Sequence, residues 1–269
     1  MPPWVIVGCG YTGARLARRL ASQSDVTVTR RTLEAATATA ASIAPTVRAA
    51  ALTLGEPAPL LAGAIAVICA PPGPDPAGEV RAVVAAGPAR LVYLSSTGVY
   101  AAGGGAWVDE DWPLEPITAS GRARVQAEAA LDGAAIALRV AGIYGPGRGL
   151  VERMRAGTYR VVGDGTSHVS RIHVDDLVEA IVRAGTCALR GAVNLADDDP
   201  APIGEVADAV AALLDVAPPP RVPVASVPAE VAGMLTADRR IANARMKREL
   251  GVTLCFPSWR DGVAAELRD

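Results

Sequence analysis

Hydrophobic positions along this chain fall into short unbroken runs separated by stretches of helical spacing. Trp4-Val5-Ile6-Val7 is the first run, and Leu16, Ala17 and Leu20 then share one face of a helix. Val26-Thr27-Val28-Thr29 predicts a second strand, and positions 47–52 a third that alanine marks only weakly. Positions 65–70 form a clear buried run, halted by Pro71-Pro72-Gly73-Pro74. A helix over 79–86, with Val80, Val83 and Val84 at helical spacing, leads to a strand over 90–94. A further helix over 122–131, with Val125, Ala129 and Ala130 inward, precedes the run Ile136–Val140. Strands that are apolar end to end are covered on both faces, as in parallel sheets. Their alternation with helices predicts an α/β fold built on a doubly wound parallel sheet.

Beyond position 149 the pattern shortens. It predicts a helix over 150–156, a strand over 160–162, and a helix opened by Asp176 as its cap with Glu179 three residues on. A last sheet strand follows over 192–196, then an amphipathic helix over 203–214 that Pro218-Pro219-Pro220 ends.

The first strand runs directly into Gly8-Cys9-Gly10-Tyr11-Thr12-Gly13, and the first helix follows it. Strand, GxGxxG turn and helix in that order are what dinucleotide binding requires. Gly8 permits the tight turn, Gly10 lets backbone approach a pyrophosphate, and Gly13 lets helix pack on strand. Gly8, Gly10, Tyr11, Thr12 and Gly13 are therefore expected at the pyrophosphate, held by unpaired helix N–H groups and the helix dipole. The second strand ends in Arg30-Arg31, where an NAD-binding unit usually carries Asp or Glu for the ribose 2′-OH. Guanidinium groups grip phosphate bidentately, so this pair predicts NADP(H) in preference to NAD(H). Ala70 and Pro71 begin the loop at the carboxyl edge of the sheet, where such folds bind the cofactor. Three hydroxyl residues, Ser95, Ser96 and Thr97, end the strand over 90–94 on the same edge.

Net charge is −2 and no basic block is present, which argues against a nucleic-acid partner. No apolar run approaches the roughly 18 residues of a membrane helix. Cys9, Cys69, Cys187 and Cys255 are scattered without a CxxC pair, and there are only two histidines, so neither a disulfide framework nor a metal site is expected. With no leader pattern at the N-terminus, these features predict a cytoplasmic protein.

Several motifs occur in a recognisable order: LSSTGVY at 94–100, PxxxxGRxRxxAE at 116–128, LRVAGIYGPGR at 138–148, GDG at 163–165, RIHVDD at 171–176 and VNLAD at 193–197. Together they resemble an extended short-chain dehydrogenase/reductase of the NAD-dependent epimerase/dehydratase superfamily. The resemblance implies a Rossmann domain over 1–147, rejoined by 175–197, and a small substrate domain from 148–174 and 198–269. It also implies a homodimer through the helices over 79–86 and 122–131. Redox members carry a Tyr-x-x-x-Lys pair, and alignment on Pro116, Gly121 and Glu128 puts Ser120 and Arg124 at those two positions. Arg124 can still hold the nicotinamide ribose, whereas an alkyl hydroxyl cannot replace a phenol of pKa about 10. Ser120 is expected to cap its helix instead. Chains of this kind resemble the atypical subgroup, which keeps the cofactor fold without the catalytic pair.

The expected activity is that of an NAD(P)-dependent oxidoreductase or epimerase acting on a small polar substrate. Ser96 or Thr97 would polarise the reacting oxygen. Tyr100, Tyr144 and His173 are the candidate proton donors, Tyr100 first because it carries a phenol just after the hydroxyl-rich strand end. The alternative is a regulatory sensor that binds NADP(H) without chemistry, which loss of the Tyr-Lys pair favours.

Overall fold

Apolar runs of four or five residues are too short for buried helices, and the chain extends them into strands that helices cover on both sides. The computed structural model describes residues 2–131, 133 and 135–268. Its first half alternates β1 (Trp4–Val7), α1 (Tyr11–Leu20), β2 (Val26–Arg30), α2 (Leu33–Ala41), β3 (Arg48–Ala51), β4 (Ile65–Ile68), α3 (Pro76–Ala85) and β5 (Arg90–Ser96). A short β6 (Trp107–Val108) precedes α4 (Ala119–Ala129), β7 (Ile136–Val140) and β8 (Gly142–Tyr144). Then come α5 (Leu150–Arg155), β9 (Val161–Val162), β10 (His168–Val169), β11 (Arg171–His173), α6 (Val174–Thr186) and β12 (Gly191–Leu195). The rest forms β13 (Ala201–Pro202), α7 (Ile203–Leu213), β14 (Arg221–Val222), α8 (Ala229–Leu235), β15 (Arg240–Ile241), α9 (Ala244–Glu249) and α10 (Trp259–Glu266).

Seven strands pair in the order β12-β7-β5-β4-β1-β2-β3, every neighbour parallel. This is the doubly wound parallel sheet expected from the sequence. Chain order reverses between β1 and β4, and the crevice at such a reversal is where open α/β sheets bind ligands.

The period of two along β1 divides the core. Trp4 and Ile6 pack on one face with Leu16 of α1 and Leu177 and Ile181 of α6. Val5 and Val7 pack on the other with Val80 and Val83 of α3 and Ala127 of α4. Burying a side chain of this size stabilises by about 1.5–3 kcal/mol, so a polar substitution in β1 strikes one layer at Trp4 or Ile6 and the other at Val5 or Val7. A separate core joins Tyr144, Val151, Met154, Ile203, Val206 and Trp259 beside the sheet's carboxyl edge. Val99, Tyr100, Val108, Ala141, Ala196 and Ile241 form a small cluster of their own.

Three helix starts differ from the sequence reading. α3 begins at Pro76 rather than 79, because Asp75 caps it and proline suits the first helical position. α4 begins at Ala119 rather than 122, and its cap is Thr118, which accepts from Gly121 N at 3.0 Å. Ser120 therefore lies inside the first turn, exposed, and does not cap the helix. α6 begins at Val174 with His173 as the cap. Asp176 is thus the third helical residue and accepts instead from Cys255 N at 2.7 Å and Phe256 N at 3.0 Å. Among the described residues no helix is long and apolar enough to cross a membrane, and no cluster of His, Cys, Asp and Glu could hold a metal ion.

Candidate functional site

β1 and α1 meet at the glycine turn because the chain has to fold back sharply at the end of a buried strand. Gly8 takes φ +77°, and a Cβ there would lie 2.5 Å from the Cβ of Ala70. A Cβ on Gly10, by contrast, would have no neighbour within 4 Å. The loop is packed from below and open above. α1 then starts at Tyr11 with no side-chain cap and no acid in its first turn. Its leading N–H groups and dipole thus remain available to an anion. An open cradle, an uncapped helix start and flanking cations fit the phosphates of a dinucleotide.

The crevice above this loop has a volume of about 930 Å³ and runs across the carboxyl ends of β2, β1, β4 and β5. Gly8, Gly10, Tyr11, Thr12 and Gly13 all line it, as do Ala70 and Pro71 from the loop after β4. Arg30 and Arg31 line its β2 end, both exposed, and Arg30 Nη1 also donates to Cys9 O at 2.9 Å. Arg124 reaches the opposite end from α4, its Nη1 donating to Leu94 O at 2.7 Å. Every residue assigned to the cofactor from the sequence is brought to one cleft. Two charged lining side chains escaped that reading. Arg148 enters from the turn after β8, and Glu79 of α3 accepts from Gly73 N at 2.8 Å, steadying the proline loop. A glycine-rich GPGR stretch at the carboxyl end of a predicted strand was the available signal for Arg148.

Burial holds the thiols in this region protonated. Burial raises Cys9 to about 11, and the Cys69 thiol, which lines the cleft, is pushed up in the same way.

The candidate proton donors meet a different fate. Tyr100, ranked first, is withdrawn from the cleft, and the structure corrects that ranking. A 3-10 turn over Thr97–Val99 rotates the chain between β5 and Tyr100, so the ring enters the core at 0% exposure. Its hydroxyl donates to Asn194 Oδ1 at 2.7 Å and accepts from Arg139 Nη1 at 2.9 Å. Burial pushes the phenol up to about 12, with Arg139 holding it back in part. Tyr144 is buried against α10, donating to Ser258 O at 3.4 Å, and burial raises its pKa strongly. His173 is 2% exposed and Nδ1 accepts from Asp175 N at 3.3 Å. Burial lowers its pKa, and its ring packs edge-on against Tyr144 and at a tilt against Phe256. Each of the three is committed to structure.

At the hydroxyl-rich strand end, the three residues separate. Ser95 lines the cleft and donates to the Glu128 carboxylate behind it. Ser96 Oγ accepts from Gly98 N at 3.0 Å, and Thr97 opens the 3-10 turn. Arg239, from the residue before β15, clamps this turn by donating to Ala101 O, Thr97 O and Tyr100 O at 2.8, 3.2 and 2.6 Å. The guanidinium of Arg239 is thus used on backbone carbonyls. The other approach to α4 comes from α8, where Glu230 accepts from Ala119 N at 3.0 Å and Ser120 N at 3.1 Å.

Residues 80–196 match the NAD dependent epimerase/dehydratase family. The chain is similar to the 3-diazoavenalumate denitrifying reductase of a Streptomyces species, 35% identical over 206 residues that span 70% of this chain and 68% of that one. It is also similar to a conserved protein of unknown function from Silicibacter pomeroyi, with a TM-score of 0.83 and 31% identity over 100% of this chain and 99% of that one. Its fold is shared by the human epimerase family protein SDR39U1, solved with NADPH, at a TM-score of 0.78 and 19% identity over 99% of each chain.

Proposed function

The chain belongs to the NAD-dependent epimerase/dehydratase family, and on that premise we propose that it is a nicotinamide-dependent reductase that uses NADPH on a small polar substrate. The observation that carries this reading is the cleft itself: an open glycine cradle flanked by Arg30 and Arg31 at one end and Arg124 at the other. In it Arg30 and Arg31 hold the 2′-phosphate, α1 the pyrophosphate, and Arg124 the nicotinamide ribose. The bound cofactor supplies the hydride. A related chain carrying the name of a reductase supports reduction rather than epimerisation.

Ser96 and Thr97 are not among the residues that line the cleft; on this reading Ser96, whose Oγ accepts from Gly98 N, offers its own O–H to a substrate that extends past Ser95. Thr97 stands next to it as the alternative. Neither Ser120 nor Tyr100 supplies the proton on this reading, because one is an exposed alkyl hydroxyl and the other is sealed in the core. The proton comes from water at the cleft. A second reading, a sensor of NADP(H) without turnover, draws on the same absence of a phenol. A homodimer through α3 and α4 would have to cover Arg81, Arg122 and Gln126, all exposed on those helices.

The test is calorimetric titration with NADPH and NADH, followed by loss of NADPH absorbance against a panel of small carbonyl and diazo compounds. Failure to bind either cofactor overturns the reading. Tight binding with no oxidation of NADPH by any compound transfers it to the sensor.

A further inference from the structure

Gly145-Pro146-Gly147-Arg148 forms a closed two-residue hairpin, with Gly145 N donating to Arg148 O at 3.1 Å and Arg148 N to Gly145 O at 2.9 Å. Proline at the first central position and Gly147 at φ +75° at the second are the residues a type II turn demands. The base of this turn is also fixed. A Cβ on Gly145 would meet Val174 Cγ1 at 2.8 Å, His173 Nε2 at 3.1 Å and Tyr11 Oη at 3.2 Å. The tip is tied to the cofactor helix, since Pro146 O accepts from Tyr11 Oη at 3.1 Å and Arg15 Nη2 at 2.7 Å.

A backbone held this tightly delivers Arg148 into the cleft beside the start of α1. Its guanidinium lies 5.2 Å from the centroid of the Tyr11 ring, while that of Arg15 lies at 4.1 Å. Among the described residues Arg148 has no carboxylate partner and no side-chain hydrogen bond. A guanidinium over an aromatic face keeps its in-plane N–H donors free for a second, anionic partner. The uncapped N-terminus of α1 faces the same space.

We propose that Arg148 is a ligand of the cofactor pyrophosphate, closing on it from the side opposite the glycine turn, and that Tyr11 positions it. The proposal rests on the dinucleotide reading of the cleft. Arg30 and Arg31 touch only what distinguishes NADPH from NADH, whereas Arg148 touches what the two share. Arg148 also accounts for a short glycine turn being latched to a cofactor helix at two separate bonds.

Titration of NADPH and NADH into the wild type and variants tests this. Arg148→Ala should raise Kd for both cofactors by a similar factor, roughly tenfold or more for a lost charge-assisted phosphate contact. Arg148→Lys should recover part of that loss, because the charge remains and the fork does not. Tyr11→Phe should weaken both cofactors less, and its effect should nearly vanish in the Arg148→Ala background, as coupling through one residue requires. The thermal midpoints of the variants, measured without cofactor, should stay near that of the wild type. Weakening of NADPH alone by Arg148→Ala would reassign the side chain to the 2′-phosphate and overturn the proposal. Unchanged affinity for both cofactors in a folded variant would also overturn it. A wild type that binds neither cofactor would instead defeat the dinucleotide reading beneath it.

Discussion

Arg139 of β7 donates to both carboxylate oxygens of Glu128 of α4, with Nη2 2.8 Å from Oε2 and Nε 3.3 Å from Oε1. Both side chains are nearly sealed, at 6% and 9% exposure. The pair is the hub of a polar network that reaches the cleft through Ser95 and the core through Tyr100 and Asn194. Removing one member of a buried ion pair leaves the other charge uncompensated, at a cost of about 3–5 kcal/mol. Glu128→Ala should therefore lower the denaturation midpoint sharply, and chemical unfolding measures it. Replacing both residues by apolar ones of similar volume should cost much less.

Tyr100→Phe separates catalysis from structure. The lost hydroxyl leaves Asn194 and Arg139 each short of a buried partner, which costs about 1–3 kcal/mol. Stability should fall while NADPH affinity and any turnover by the folded protein stay unchanged. A drop in turnover on the order of 10² without loss of stability would restore Tyr100 as the donor.

Thr118, and not Ser120, should carry the cap of α4. Thr118→Ala removes the hydroxyl that caps α4 and should cost about 1 kcal/mol. Ser120→Ala removes an exposed hydroxyl and should stay within about 0.5 kcal/mol of the wild type. Equilibrium urea unfolding of the two variants distinguishes them.

Cofactor choice should follow the end of β2. Arg30→Ala and Arg31→Ala together should weaken NADPH by roughly tenfold or more, since charge-assisted bonds to phosphate are lost. NADH affinity should hardly change. Calorimetry with both cofactors reads the difference, and equal weakening would place the arginines elsewhere.

Asp197 sets a pH dependence. It lies at the end of β12 at 1% exposure, and burial raises its pKa from an ordinary 3.8 to about 8, with Arg171 offsetting part of the effect. Between those two values the folded state keeps a proton that the unfolded chain has released. Stability must then fall as pH rises from about 4 to about 8. Asp197→Asn should flatten that slope and gain on the wild type most at pH 8. Thermal unfolding at pH 5, 6.5 and 8 checks the sign.

Where sequence sufficed, the cause was local. β1 and the glycine turn are adjacent in the chain, and a buried strand running into GxGxxG leaves few other geometries. The helix starts were harder, because a cap is fixed by the backbone angles of one residue and not by its type. Thr118 and Ser120 are both hydroxyl residues, yet only Thr118 has the extended conformation that aims its oxygen at Gly121 N. Tyr100 misled for a related reason: a place just after the hydroxyl-rich strand end does not carry its phenol to the cleft, because the 3-10 turn between them redirects the chain into the core. Arg239 was beyond reach, since its three acceptors lie about 140 residues earlier in the chain and only the tertiary fold brings them together.

Glu230 joins two parts of the chain more than a hundred positions apart, and this constrains how relatives can be recombined. The segment around α8 looks like a cassette, bracketed by Pro228 and earlier prolines and exposed along much of its length. It nevertheless supplies the acceptor for the first turn of the helix that bears Arg124. A chimera that imports a foreign segment here without an acid at position 230 would hand two backbone donors of that helix to water and lose the tie between the segments. Grafting a new specificity onto this scaffold therefore requires carrying the acid along with the graft.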